Sequence, residues 1–275
     1  MNQVHATASM GKNSDIGSFT VIGENVTIGD GCRIGHHVVI HPDTVIGDNV
    51  RIDDHVTVGK EPLKAANSAL TQSVTLEPTQ IADNVLVGTS AIIYRGARIA
   101  HSVLIADQAS VREMTEIGDT TIIGRGVTIE NKVTVGARTK VEAGAYIATL
   151  STIGNDCFVA PEVTVTNDNY IGRTEERKKH FKGITIEDGG RVGANVTLLP
   201  GLTVESEGVA AAGAVVTRNV PSAQIVAGVP AKPFSSVPPE QLLETTERSD
   251  TPDDTLVINQ IVRFFENGVV ANGQR

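Results

Sequence analysis

The sequence predicts an all-β chain wound as a parallel β-helix of about ten triangular coils, and two interlocked patterns predict it. Aliphatic residues fall six apart at Ile16, Ile22, Ile28, Ile34, Ile40, Ile46, Ile52 and Val58. The beat resumes at Ile81, runs to Val165, and returns from Ile186 to Val216 with Ala210 as its one small member. Four residues after each aliphatic stands a small or β-branched residue, unbroken from Val85 through Ala91, Ala97, Val103, Ala109, Thr115, Thr121, Val127, Val133, Thr139, Ala145, Ser151 and Cys157 to Val163. That residue precedes the next aliphatic by two, so an extended strand points both to one side. A period of six rather than 3.6 excludes an amphipathic helix. Three short strands make one coil of 18 residues. Coils stack about 4.8 Å apart, so ten of them build a prism on the order of 50 Å long.

Each element follows from this register. Glycine often succeeds the aliphatic, as at Gly17, Gly29, Gly47, Gly118, Gly136 and Gly154, where a chain that turns after every short strand favours it. One repeat covers most of the 275 residues, which favours a single coiled domain over 1–220 with a tail at 221–275. Aromatic residues make up 3% of the chain and Trp is absent, in keeping with a narrow core. Cys32 and Cys157 hold the small inward position and are expected as buried thiols, without disulfide or zinc. A net charge of −9 argues against a nucleic-acid partner. No apolar run is long enough to cross a membrane and no signal pattern opens the chain, so a soluble, cytoplasmic protein is expected.

The beat breaks twice. Residues 60–80 must leave the coil as a surface loop, where Lys60 and Lys64 are candidates for phosphate contacts; a merely solvated loop is the plainer explanation. Residues 166–185 gather Asn167, Asp168, Tyr170 and His180 with Arg173, Arg177, Lys178, Lys179 and Lys182. Against Asp168, Glu175 and Glu176 these five cations leave a local charge of +2, which suits an anion-binding element as well as a solvated loop. Beyond the repeat, Pro221, Pro230, Pro233, Pro238 and Pro239 argue against continuing the coil. After them Asp253-Asp254-Thr255, followed by Leu256, Ile258, Ile261, Val262 and Phe265, reads as a short capped helix.

The repeat, together with Val209-Ala-Ala-Ala-Gly213-Ala-Val-Val-Thr217-Arg218-Asn-Val-Pro221 and Gly228-Val-Pro230-Ala231-Lys232, resembles the left-handed β-helix of the hexapeptide-repeat acyltransferases. Ala211 departs from the glycine common there. The left hand comes from the resemblance, since crossover sterics favour the right. Thr166-Asn167-Asp168 at the exit from the coil, the basic loop, and Gly193-Ala-Asn195 on re-entry resemble enzymes that acetylate dTDP- or UDP-linked 3-amino sugars. Ile93-Tyr94-Arg95-Gly96 and Asn169-Tyr170-Ile-Gly-Arg173-Thr-Glu-Glu-Arg177 add to that likeness. The resemblance implies acetyl-CoA as co-substrate, a nucleotide-linked amino sugar as acceptor, a homotrimer with sites between subunits, and no metal. It further implies coenzyme A contacts at Gly193, Ala212, Gly213, Arg218 and Lys232.

In that reaction the amine must lose a proton on becoming an amide, and a histidine or carboxylate accepts it. Glu142, Asn167, Asp168 and His180 are the catalytic candidates, and Lys60, Lys64, Tyr94, Arg95, Tyr170 and Arg173 the substrate-binding ones. Residues 18 apart stack, so Tyr94, Arg112 and Glu130 form one polar column, with a surface ion pair as the plainer account. Glu142 stands alone in another column between Gly124 and Ala160. His36, His37, His41, His55 and His101 lack the spacing of a carbonic anhydrase metal site built on this fold. The rival readings are a sugar or serine O-acetyltransferase, which would lean on His180, and a non-catalytic β-helix serving assembly.

Overall fold

The computed structural model describes residues 1–66, 68 and 74–244. Met1–Pro238 form one compact unit, a three-faced coil of parallel strands mostly two residues long. Face 1 begins at Gln3–Val4 and ends at Val215–Val216, face 2 runs from Ser9–Met10 to Thr203–Val204, and face 3 from Asp15–Ile16 to Lys232–Ser236. They contain 11, 10 and 12 strands, so face 2 has the ten levels expected from the beat and faces 1 and 3 have one and two more. The chain visits the faces in rotation, so up to Gln224–Ala227 each strand bonds to the one a full coil away and not to its neighbour in sequence. The register is 18 residues throughout the uninterrupted stretches, as in Ser110↔Thr128 and Thr128↔Tyr146.

The core is what the two patterns require. Every beat residue from Ile22 to Val216 is buried, and Ile16, near the open N-terminal end, is partly so. The inward small residues from Val85 to Val163 are buried as well. Where that residue is polar, its hydroxyl satisfies the buried backbone of the turns. Thr139 Oγ1 donates to the Gly154 carbonyl at 2.8 Å and accepts the Cys157 N–H at 3.0 Å, and Thr121 does the same one coil earlier. The edge between faces 2 and 3 carries a second ladder. There the Asp30, Asp48 and Asp83 carboxylates each accept the backbone N–H of the preceding coil at 2.7–2.8 Å.

The glycine after the aliphatic is needed for a different reason from the one its position suggests. A Cβ on Gly136 would sit 2.5 Å from the Gly154 carbonyl carbon, so it is the close approach of the next coil that excludes a side chain. The left-handed residue of the turn comes two positions later and is usually not glycine, as at Asn25 (φ 55°) and Asn49 (φ 56°).

The two insertions are slightly shorter than the sequence suggests. Lys60 ends the strand Thr57–Lys60, Gln80 begins the next, and Thr185 already belongs to a strand, leaving 61–79 and 166–184 outside the coil. Both depart from face 1 and rejoin at face 2, so both emerge from the same edge. At the other end, the proline-rich stretch adds to the coil rather than simply leaving it. Gln224–Ala227 pairs in parallel with Val209–Ala210, and Lys232–Ser236 returns antiparallel as an edge strand, where Pro233 is tolerated. A second unit starts at Pro239, and its described part holds one 3₁₀ turn at Pro239–Gln241. The helix expected near 253–265 lies outside the described residues. No described helix is long and apolar enough to cross a membrane.

Two outcomes follow from the packing. Ile129→Ala, in mid-coil, should cost about 2–5 kcal/mol by chemical denaturation, and Ile16→Ala at the half-open end much less; equal losses would contradict the stacked core. Burial pushes the Cys157 thiol up to about 11 and also raises Cys32. Both should therefore resist a thiol-specific disulfide reagent at pH 8 until the chain is unfolded, and full-rate reaction in the native state would contradict the buried placement.

Candidate functional site

The faces meet at three edges, and the polar residues of interest divide between two of them. The first edge, between faces 1 and 2, carries both insertions and the column Tyr94, Arg112, Glu130 and Ala148. The third edge, between faces 3 and 1, carries Glu142 with Gly124, Ala160, Gly193 and Ala211 above and below it. Glu142 is half-buried there, and Ala212 and Gly213 follow on the same edge. Gly193 packs so closely that a Cβ would lie 2.5 Å from the Ala212 nitrogen, whereas Gly213 (φ 72°) faces open space. Arg218 and Lys232 are exposed near the C-terminal end of the coil.

On the first edge, Arg95 is a clamp. Its guanidinium donates to the Leu76 and Pro42 carbonyls at 3.1 and 3.0 Å, and pairs with Asp43 at 3.0 Å and Glu61 at 3.2 Å. These bonds tie both ends of the first insertion to the coil and wall a cavity of about 510 Å³ lined also by His41, Gly59 and Thr75. Burial, helped by Lys60 and Arg95 and opposed by Glu61, holds the His41 imidazole below its ordinary pKa. Lys60 Nζ lies 5.3 Å from the centre of the Tyr94 ring, and the Arg112 guanidinium 4.9 Å from it. Lys64 is exposed within the insertion.

Behind this column is a line of buried polar residues that the sequence reading did not single out. Glu113, Asn131 and Thr149 are 2%, 4% and 4% exposed. Glu113 takes Arg112 in a two-point pair at 2.8 and 3.1 Å and accepts the Asn131 amide at 3.1 Å. Thr149 Oγ1 donates to the Asn131 carbonyl at 2.6 Å. Burial disfavours the Arg112 charge, yet Glu113 and Glu130 more than offset it and raise its pKa. The signal was present in the sequence. These residues also fall 18 apart, one position beyond Arg112, Glu130 and Ala148.

The second insertion is organised by Asp168. Its carboxylate accepts the Tyr170 N–H at 2.8 Å, the Gly172 N–H at 3.0 Å and Arg177 at 3.1 Å. Desolvation works to raise its pKa, but the Gly172 and Tyr170 amides and Arg177 together hold it below the usual carboxylate range. Asn167 anchors the far end through its carbonyl, which accepts the Lys182 N–H at 3.2 Å, and its side chain makes no hydrogen bond among the described residues. His180 stacks on Tyr170 with ring centres 5.6 Å apart, and its Nε2 lies 3.2 Å from Glu176. Lys178 and Lys179 pair with Glu175 and Glu176, whereas Arg173 is exposed with no ion pair among the described residues. Thus the insertion offers an amide, an oriented imidazole, a flat ring pair and a cation. Glu142 stands on another edge of the same chain.

Sequence models of bacterial transferase hexapeptide repeats match residues 7–42 and 25–60, and a hexapeptide repeat of succinyl-transferase matches 183–218. The chain is similar to galactoside O-acetyltransferase of Escherichia coli strain K12, 33% identical over 84 residues, covering 30% of this chain and 41% of that protein. It is 47% identical over 49 residues to a tetrahydropyridine-dicarboxylate N-acetyltransferase of Staphylococcus aureus, covering 18% of this chain and 20% of that protein. The chain therefore spans less than half the length of these curated relatives. A solved UDP-N-acetylglucosamine acyltransferase from Bacteroides fragilis is 18% identical, with a TM-score of 0.48 over 100% of this chain and 85% of that one.

Asp168 makes the loop acid-sensitive. Its depressed pKa contributes order that is complete above about pH 4, the ordinary aspartate value, and lost as pH falls through the folded value. Asp168→Asn should mimic that loss at pH 7, with faster amide exchange at Tyr170 and Gly172 and faster trypsin cleavage after Arg173. Unchanged exchange would remove Asp168 from its anchoring role.

Proposed function

We propose that the chain is a hexapeptide-repeat acyltransferase, the family whose repeat models match residues 7–60 and 183–218, and that it transfers acetyl from acetyl-CoA to the amine of a dTDP- or UDP-linked amino sugar. A 3-amino-dideoxyhexose destined for a surface glycan is the acceptor that fits this reading. One observation carries it: a single loop presents the stacked Tyr170 and His180 rings with Arg173 and the Asn167 amide, which are unpaired among the described residues. A diphosphate is complementary to Arg173, and a sugar amine to the Asn167 amide and to the imidazole that Tyr170 buttresses.

The chemistry assigns distinct roles. The neutral amine attacks the thioester carbonyl, the tetrahedral oxyanion expels the coenzyme A thiolate, and the nitrogen sheds a proton as the amide forms. His180, oriented through Nε2 by Glu176, accepts that proton; general bases of this kind contribute about 10²–10⁴-fold. Asn167 holds the amine, Asp168 holds the loop, and Lys60, Lys64, Tyr94 and Arg95 border the acceptor on the first edge. Acetyl-CoA lies along the third edge, by Gly193, Ala212 and Gly213, with Arg218 and Lys232 on its phosphates. Because Glu142 shares that edge, the two halves meet between neighbouring chains of a homotrimer, where alignment of amine and thioester supplies much of the acceleration.

A hydroxyl acceptor is the second reading, favoured by the similarity to the galactoside O-acetyltransferase. Incubation with acetyl-CoA and a panel of aminosugar nucleotides, followed by thiol release, separates them. Turnover should require the amine, and His180→Ala should lower kcat about 10²–10⁴-fold with KM for acetyl-CoA within about twofold. Turnover with hydroxyl sugars alone would move the assignment to O-acetylation, and no release with any acceptor would overturn both.

A further inference from the structure

The two insertions bracket one stretch of the first edge. They leave it from the levels of Thr57–Lys60 and Thr164–Val165, five steps apart in face 1, or about 24 Å at 4.8 Å per step. Each folds over an adjoining level. Leu76 of the first lies on Gly96, where a Cβ would meet it at 3.7 Å, and Gly183 of the second packs directly on the Leu150–Ser151 backbone. Between them lie the levels of Arg112 and Glu130.

That gap is built differently from the rest of the coil. The other two edges turn mostly through glycine or alanine followed by a residue that bonds the preceding coil's backbone, as Asp48 and Asp107 do. Here the turn holds an ion pair whose Glu113 carboxylate is buried and whose Arg112 guanidinium is partly so, an expensive arrangement that parallel stacking does not require. What the pair accomplishes is orientation. Thr149 holds the Asn131 backbone, the Asn131 amide and Arg112 hold Glu113, and Arg112 directs an Nη1–H at Glu130 Oε2, 3.4 Å away. Glu113 neutralises Arg112, so the cluster keeps the negative charge of Glu130. Glu130 Oε1 has no hydrogen bond among the described residues, and the next member of its column is the small Ala148. Tyr146, 41% exposed on the neighbouring strand, borders the opening. Burial and the Glu130 charge, opposed by Arg112, raise the Tyr146 pKa, so its hydroxyl stays protonated.

We propose that Glu130 and Tyr146 form the acceptor-sugar subsite: an oriented carboxylate that receives the hydroxyl donors of a sugar ring, beside a phenol that exchanges hydrogen bonds with it. This deepens the activity proposed above and rests on it for the identity of the sugar. Arg112, Glu113 and Asn131 are positioning residues that aim Glu130 without touching the ligand.

The test uses the whole 275-residue chain and the dTDP- or UDP-linked amino sugar that binds best in the panel. Glu130→Gln keeps the shape and removes the charge. It should raise KM for the amino-sugar nucleotide about tenfold, leave KM for acetyl-CoA within twofold, and leave Tm unchanged. Glu130→Asp should recover part of the loss. A fall in Tm with both KM values unmoved would make the cluster scaffold only and overturn the subsite. Calorimetric binding of the same nucleotide sugar without acetyl-CoA distinguishes the two claims. Glu130-dependent binding without turnover keeps the subsite and overturns acetyl transfer, and turnover with Glu130-independent binding does the reverse. No binding of any aminosugar nucleotide to the wild-type protein overturns both.

Discussion

The interaction on which everything else depends is the backbone hydrogen bond between a strand and its counterpart one full coil away. Strands of two residues carry too little pairing to stand alone, and they persist because each is held from both sides. The inward aliphatic and the small residue beside it keep this pairing in register, since a slip of one residue would turn the beat outward. The Thr139 and Thr121 hydroxyls and the Asp30–Asp48–Asp83 carboxylates then bind the turns that the strands leave unsatisfied. A scaffold made this way has three edges of fixed geometry, and departures from the pattern are free to serve other ends.

Those departures concentrate on one edge. Both insertions, the Tyr94–Arg112–Glu130 column and the buried Glu113–Asn131–Thr149 line share it. Function in such a fold is an edge property, because the faces are committed to strand pairing and the interior to aliphatic packing. The separation of Glu142 from Asn167 and His180 is the same fact seen from the other side. Residues on different edges of one coil meet only when a second coil is laid alongside.

Much of this was legible before any coordinates. The beat marks the core residue by residue, and its breaks, read as 60–80 and 166–185, locate the insertions observed at 61–79 and 166–184 to within one position. The column arithmetic also puts Tyr94 below Arg112, where the cation–π contact is found. What escaped has physical reasons. The glycines appear in the sequence as turn formers, but their need comes from the proximity of the next coil, which no local pattern records. Arg95 binds Asp43 across the first insertion, a pairing set by where the loop folds and not by any period. Glu113 looks like one more surface carboxylate until its neighbours show that it is enclosed. The proline-rich stretch adds a parallel strand because its Gln224–Ala227 segment is free of proline, a distinction that composition alone blurs.

The placement of both insertions on one edge also makes their separation quantised. Removing or duplicating an 18-residue coil between them would preserve every inward and outward assignment and move the loops by one step of about 4.8 Å. No intermediate distance is available without breaking register. A protein of this construction can thus be retuned to a longer or shorter ligand by counting coils, much as a vernier moves by whole divisions, while the chemistry at either end stays untouched.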